Sequence, residues 1–100
     1  MVLASSNTKG IWMRAPIASE TINAAVQQVI AAGNEVVEIS EGWSEMAQVV
    51  HMRLPLSEAM RELMSTYPTL NHSVVEPTPH NRAEEIFIDR VEKVAVSFPR

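Results

Sequence analysis

The chain has 100 residues, of which 46% are hydrophobic and 20% are charged, and its formal net charge is −4. This size and balance predict one globular domain that can bury a core without crosslinks. The absence of cysteine excludes disulfides, thiolate metal ligands and a thiol nucleophile. The charges are spread along the chain and mildly acidic, so we expect no nucleic-acid partner.

The first nine residues are small and polar, and they predict a flexible tail ahead of a single domain over residues 10–100. The N-terminus lacks a basic start followed by an apolar core, so it does not predict a secretory signal. The longest apolar stretch, residues 22–33, contains two glutamines and is too short to span a bilayer. We therefore expect a cytoplasmic protein without a membrane partner.

Residues 10–17 predict a first strand that Pro16 closes. Ile11 and Met13 alternate there with Trp12 and Arg14, and a period of two is typical of a strand with two different faces.

Residues 19–32 predict an amphipathic helix. Ser19 is a suitable N-cap, Glu20 places a negative charge in the first turn, and Gly33 suits the left-handed position after the last turn. The apolar side chains recur at helical spacing: Ile22, Val26, Val29 and Ile30.

Residues 35–40 are rich in β-branched side chains and predict a strand, followed by a turn at Gly42 and Trp43. Residues 44–54 fit either a strand or a helix by periodicity. The Val49–Val50 pair and the preceding turn favour a strand that forms a hairpin with residues 35–40.

A second helix is predicted from Ser57, its N-cap, to the residues before Pro68, which stops it. Residues 71–79 follow as a short strand that ends at Pro77 and Pro79.

The last segment starts with Asn81 and, three residues later, Glu84. This spacing is a capping box, typical of a helix start. Ala83, Phe87 and Val91 continue at helical spacing, so we expect a helix over residues 82–91. Residues 93–98 alternate and favour a final strand, although a continued helix is the alternative.

The predicted order is strand, helix, strand, strand, helix, strand. This order resembles the split βαβ arrangement of ferredoxin-like folds, with both helices on one face of the sheet and a C-terminal helix and strand as an extension. The resemblance concerns architecture alone. The expected class is α+β in a single domain.

A metal site is considered for His80 with Glu84 or Glu85. Zinc sites need three or four converging ligands, and the chain has only three histidines. His72 precedes His80 by eight residues, which is not a metal-binding signature. Both histidines are therefore interpreted as surface loop residues, and we expect no metal and no cofactor.

An acid–base site is the alternative interpretation of His51. The residue lies in the predicted third strand, on the face that the helices leave uncovered. With Arg14 or Arg53 close by, His51 could act as a general base in a small enzyme.

The preferred hypothesis is a non-catalytic module that binds a protein partner or itself and acts as a regulatory, accessory or inhibitory subunit. Large aromatic side chains away from a core are typical of interfaces, and an uncovered apolar face favours a homodimer. A third hypothesis, an acidic factor that occupies a partner's nucleic-acid-binding surface, requires more charge than this chain has. The expected interface residues are Trp12, Arg14, Trp43, Val49 and His51.

Overall fold

The computed structural model of the protein describes residues 17–100. The predicted tail at residues 1–9 and the predicted first strand up to Pro16 lie outside the described residues. The described chain contains two helices and five strands in the order α1, β1, β2, α2, β3, β4, β5. Their bounds are α1 Glu20–Ala31, β1 Val36–Glu41, β2 Gln48–Met52, α2 Glu58–Ser65, β3 Leu70–Val75, β4 Glu84–Asp89 and β5 Val94–Pro99.

Helix α1 confirms the prediction made from its capping residues. The hydroxyl of Ser19 accepts a hydrogen bond from the Ile22 N–H at 3.0 Å, which satisfies one of the free donors of the first turn. Glu20 lies in that turn. Gly33 has a φ of +111°, a conformation that residues with a side chain rarely adopt.

The predicted hairpin is also confirmed, and residues 44–54 contain a strand. Strands β1 and β2 pair antiparallel, with Ile39 opposite Val50, and a register irregularity interrupts the pairing between Val36 and Glu38. The turn between them requires Gly42, because a Cβ at this position would overlap the backbone carbonyl of Met46.

Helix α2 begins after Ser57, whose hydroxyl accepts a hydrogen bond from the Met60 N–H at 3.2 Å, and it ends before Pro68. Strand β3 follows where the sequence predicts a short strand. The final strand, β5, is confirmed over the alternative of a continued helix.

The predicted helix over residues 82–91 is wrong, because the chain forms strand β4 there. Asn81 is not an N-cap: its N–H donates to the Thr78 side chain at 3.0 Å and closes a turn. The spacing of Ala83, Phe87 and Val91 misled the prediction, since steps of four residues satisfy a period of two as well as a helical period. Pairing with strands on both sides decides between the two.

The five strands form one sheet in the order β1-β2-β5-β4-β3. Strands β2 and β5 are parallel, and all other neighbours are antiparallel. The protein is therefore a small α+β fold with a mixed sheet, as expected, but the ferredoxin-like strand order is not matched. The reason is that β3, β4 and β5 follow one another as a meander, and β4 replaces the expected C-terminal helix.

The described helices pack on one face of this sheet. The core on that face contains Ile22, Ala25, Val26 and Val29 of α1 and Met64 of α2 together with Val50, Met52, Phe87, Val94, Val96 and Phe98 of the strands. The other face carries a smaller cluster of Val49, Ile86 and Ala95. These faces are called the helix face and the second face below.

Candidate functional site

Strand β3 is an edge of the sheet, since the strand order places it beyond β4 at one end. Its six residues contain no aspartate, glutamate, lysine, arginine or proline, and they pair with β4 in a continuous register. The four central residues, Asn71–Val74, are exposed. Within the described part of the chain no strand pairs with its outer side. This edge is the candidate functional site.

Strand β1, at the opposite end of the sheet, differs in the features that discourage pairing. It contains Glu38 and Glu41, and its register is interrupted between Val36 and Glu38. Charged side chains and irregular registers are common means by which proteins keep an edge strand from pairing with another chain. Strand β3 lacks both.

A buried carboxylate connects β3 to the rest of the domain. The side chain of Glu85, on β4, is only 3% exposed. Arg61 of α2 donates to both of its oxygens, from Nε at 2.7 Å and from Nη2 at 3.2 Å. This forked geometry is the strong form of an arginine–carboxylate pair, and it fixes α2 against β4.

His72 holds the edge strand to the same carboxylate. Its Nε2 lies 2.9 Å from Oε2 of Glu85. Its ring stacks on Phe87, with 4.4 Å between ring centroids and an interplanar angle of 8°. Phe87 in turn meets Phe98 edge to face at 6.1 Å. The ring of His72 is thus fixed between a core aromatic residue and a buried ion pair, and this anchors β3 to the domain.

The electrostatics of this cluster favour the charged form of Glu85. Burial opposes the charge, but the hydrogen bonds and charges of Arg61 and His72 outweigh it and lower the pKa of Glu85 below its ordinary value. The same bond raises the pKa of Arg61. Glu85 and Arg61 therefore both stay ionised at neutral pH, and their ion pair holds α2 against the sheet.

The second face carries a separate row of polar side chains around His51. The hydroxyl of Ser40 lies 2.9 Å from Nε2 of His51. Ser97, the cross-strand neighbour of His51, donates to the carboxylate of Glu84. A cavity of about 70 Å³ lies beside this row, lined by His51, Glu84 and Ser97 with Val37, Met52, Arg82 and Pro99. Two hydrogen-bonded pairs, Ser40 with His51 and Ser97 with Glu84, thus lie side by side across four neighbouring strands.

The structure does not join His51 to Arg53, one of the two arginines expected beside it. The side chain of Arg53 instead binds Glu35 at 2.7 Å in an exposed ion pair. Arg14, the other candidate, lies outside the described residues.

The predicted interface residues have different environments. Trp43 is 48% exposed in the turn between β1 and β2, Val49 is completely buried beside Ile86 and Ala95, and Trp12 lies outside the described residues. A contact between any of these residues and a partner stays a prediction. Val49 offers no surface within this chain, whereas the β3 edge of the sheet is exposed over Asn71–Val74.

His80 lies in the exposed turn before β4, where its backbone N–H donates to the Thr78 hydroxyl. Its predicted partners separate, since Glu84 accepts from Ser97 whereas Glu85 binds Arg61 and His72. Among residues 17–100, no three histidine, aspartate or glutamate side chains gather where they could hold a metal ion.

Sequence reasoning missed the Arg61–Glu85–His72 cluster. The three residues are separated in sequence, and the predicted helix over residues 82–91 did not place Glu85 beside β3. One signal was available: in a strand, Glu85 shares a face with Phe87, and an acidic residue on a core face needs a cationic partner.

Comparisons with protein-family models, with curated proteins and with solved structures found no match to this chain. Neither helix of the described region has the length and apolar character needed to cross a membrane.

Proposed function

We propose that the protein is a protein-binding module that accepts a strand of another polypeptide along the free edge of β3. The observation that carries this proposal is the edge itself, which lacks acidic, lysine and arginine side chains, pairs regularly with β4 and is exposed over Asn71–Val74. Such an edge presents a row of unpaired backbone donors and acceptors, which a second extended chain can satisfy.

Recognition on this edge has a backbone part and a side-chain part. Backbone hydrogen bonds supply affinity without regard to sequence, and alternate side chains supply specificity. On the helix face, His72 and Val74 flank the incoming strand, and Val74 is 43% exposed. The fixed position of His72 lowers the ordering cost of binding, because part of the strand is already immobile.

A module of this kind acts by occupancy, so its role is regulatory, accessory or inhibitory. Binding adds a strand to the sheet and requires no reaction at the edge. Its partner is a protein chain, either a different protein or a second copy.

Photo-crosslinking tests the proposal whatever the identity of the partner. Ser73 is replaced by benzoylphenylalanine, and the matched control carries the same replacement at Gln28, an exposed residue of α1. In cells that make the protein, irradiation is expected to yield protein adducts from the Ser73 position and none from the Gln28 position. Equal labelling from both positions, or none from Ser73, would contradict binding at this edge.

A second candidate function, a small acid–base enzyme, is supported by the 2.9 Å contact between Ser40 and His51 beside the cavity on the second face. His51 would serve as general base toward the hydroxyl or toward a bound substrate. The test is reactivity of Ser40 with a fluorophosphonate probe. Labelling that disappears in both Ser40→Ala and His51→Gln would support the enzyme, and an unlabelled wild-type chain would exclude an activated Ser40.

A further inference from the structure

We propose that the strand added to β3 is β3 of a second copy of this chain, so that two sheets join into one across a twofold axis. This inference rests on the proposed function, because it names the partner for the same edge. The axis runs perpendicular to the sheet and makes the two β3 strands antiparallel. Such pairing keeps the helix face of one copy continuous with the helix face of the other.

The side chains of β3 select one register. Leu70, His72 and Val74 share the helix face, because His72 lies opposite Phe87 and Leu70 packs against the core on that face. Asn71 and Ser73 share the second face, opposite Ile88 and Ile86 of β4.

With His72 opposite its own counterpart, the cross-strand pairs match in character. Leu70 lies opposite Val74 of the second copy, and Asn71 lies opposite Ser73 of the second copy. Apolar side chains thus meet apolar ones, and amides meet hydroxyls. Two neighbouring registers also preserve the faces, but both pair polar groups with apolar ones. One places His72 against Val74 and Asn71 against Val75, and the other places His72 against Leu70.

Charge also favours a second copy. The strand itself contains no aspartate, glutamate, lysine or arginine, and the one titratable residue placed opposite its own counterpart, His72, is paired with the Glu85 carboxylate of its own chain. Arg90 lies at the Leu70 end, where its Nε donates to Asn71 at 3.0 Å. Glu76 follows Val75 at the other end. Antiparallel pairing brings the Arg90 end of each copy beside the Glu76 end of the other, so this favourable approach occurs twice.

The expected dimer is weak and depends on concentration. One pair of six-residue strands forms a joint below the size of a standard interface. Sedimentation equilibrium at about 0.1–1 mM suits this regime, because small interfaces of under about 1,200 Å² give transient complexes. The measured mass of the wild-type protein is expected to rise from that of one chain towards that of two as the concentration rises.

Two double variants test the register. Asn71→Glu with Ser73→Lys places opposite charges across the joint, whereas Asn71→Lys with Ser73→Lys places like charges there. The first is expected to dimerise at least about tenfold more tightly than the second, since cross-strand charge pairs act in both halves of a twofold joint. Gln27→Lys with Gln28→Lys adds the same positive charge on the exposed side of α1 and is expected to keep the wild-type dissociation constant. Far-UV circular dichroism checks that every variant is folded.

The outcomes separate this inference from the proposed function. Two results would overturn the self-pairing. One is that both the wild-type chain and the Glu–Lys variant remain monomeric, and the other is that the two double variants have equal dissociation constants. If Ser73 crosslinks then still join a different protein, the proposed function stands and only its partner changes. If Ser73 also gives no crosslink, both proposals fail together. Tighter dimerisation of the Glu–Lys variant, with loss in the Lys–Lys variant, supports the twofold strand pair.

Discussion

The replacement Ser19→Ala is expected to destabilise the protein more than an ordinary loss of a helix cap. Ser19 is completely buried, and its hydroxyl makes two hydrogen bonds. It accepts from the Ile22 N–H at 3.0 Å, and it donates to Oδ2 of Asp89 at 2.6 Å. The first bond caps α1, and the second joins α1 to β4.

The magnitude follows from these two bonds. Loss of a serine N-cap costs about 1 kcal/mol. Loss of a hydrogen bond to a charged group costs about 1.5–3 kcal/mol. Asp89 is 4% exposed, so its oxygen has little access to water as a replacement donor. We expect Ser19→Ala to lower the free energy of unfolding by about 2–4 kcal/mol when both losses are added.

Ser57→Ala is the matched control, because Ser57 caps α2 at 3.2 Å from the Met60 N–H and is exposed. It is expected to cost only about 1 kcal/mol. Urea unfolding followed by far-UV circular dichroism measures both variants. A double-mutant cycle with Asp89→Ala should give a coupling of about 1 kcal/mol or more between Ser19 and Asp89, as expected for groups in direct contact. The reasoning would be refuted if Ser19→Ala and Ser57→Ala lowered the free energy of unfolding equally and the cycle showed no coupling between Ser19 and Asp89.

Three further predictions concern the ion-pair cluster, a turn and the core. Because the pKa of Glu85 is lowered in the folded state, its contribution to stability is complete above the ordinary carboxyl pKa and is lost as the pH falls through the lowered value. Urea titrations between about pH 7 and pH 3 should therefore show that the free energy of unfolding falls on acidification. Arg61→Ala should weaken or reverse the share of this fall that comes from protonation of Glu85. A pH profile unchanged by Arg61→Ala would argue against this cluster. Gly42→Ala should lower the free energy of unfolding by about 1–3 kcal/mol in a thermal or urea melt, because the new Cβ overlaps the Met46 carbonyl. A variant that melts at the wild-type temperature would show that the turn accommodates the Cβ without strain. Val26→Ala should cost about 1–3 kcal/mol, since Val26 is fully buried, while Gln27→Ala should stay within about 0.5 kcal/mol; similar effects for the two would mean that the buried side of α1 is wrongly assigned.

The helices were predictable because their ends are encoded locally. Ser19 and Ser57 act as N-caps, and Gly33 takes a positive φ after α1. Short polar side chains and glycine satisfy helix ends within a few residues, so no tertiary information is needed. The hairpin of β1 and β2 was predictable for the same reason, since its turn at Gly42 lies between two β-branched runs.

Strand β4 was not predictable in this way. Asn81 and Glu84 have the spacing of a capping box, yet Glu84 accepts from Ser97 on the neighbouring strand. Partners in β3 and β5 on both sides outweigh the local helical preference. Strand order depends on contacts between residues far apart in sequence, and this is why the meander of β3, β4 and β5 was missed.

The candidate site was predictable only in part. From the sequence, His72 was interpreted as a loop residue and Glu85 had no structural role, because the pairing that joins them appears only when β3 and β4 are neighbours. The lack of aspartate, glutamate, lysine, arginine and proline in residues 70–75 is visible in the sequence. Its meaning depends on β3 being an edge strand, which follows from the strand order.

Backbone amide hydrogen exchange, followed by NMR at low and high protein concentration, tests most directly whether the β3 edge pairs with another strand. Strand β1 serves as the internal control, since it is the other edge of the described sheet. We predict that the outward-facing amides within Leu70–Val75 exchange more slowly as the concentration rises, whereas those of Val36–Glu41 do not change. Amides of β3 that exchange equally fast at every concentration, or protection that appears at β1 instead, would contradict pairing of a second copy at this edge.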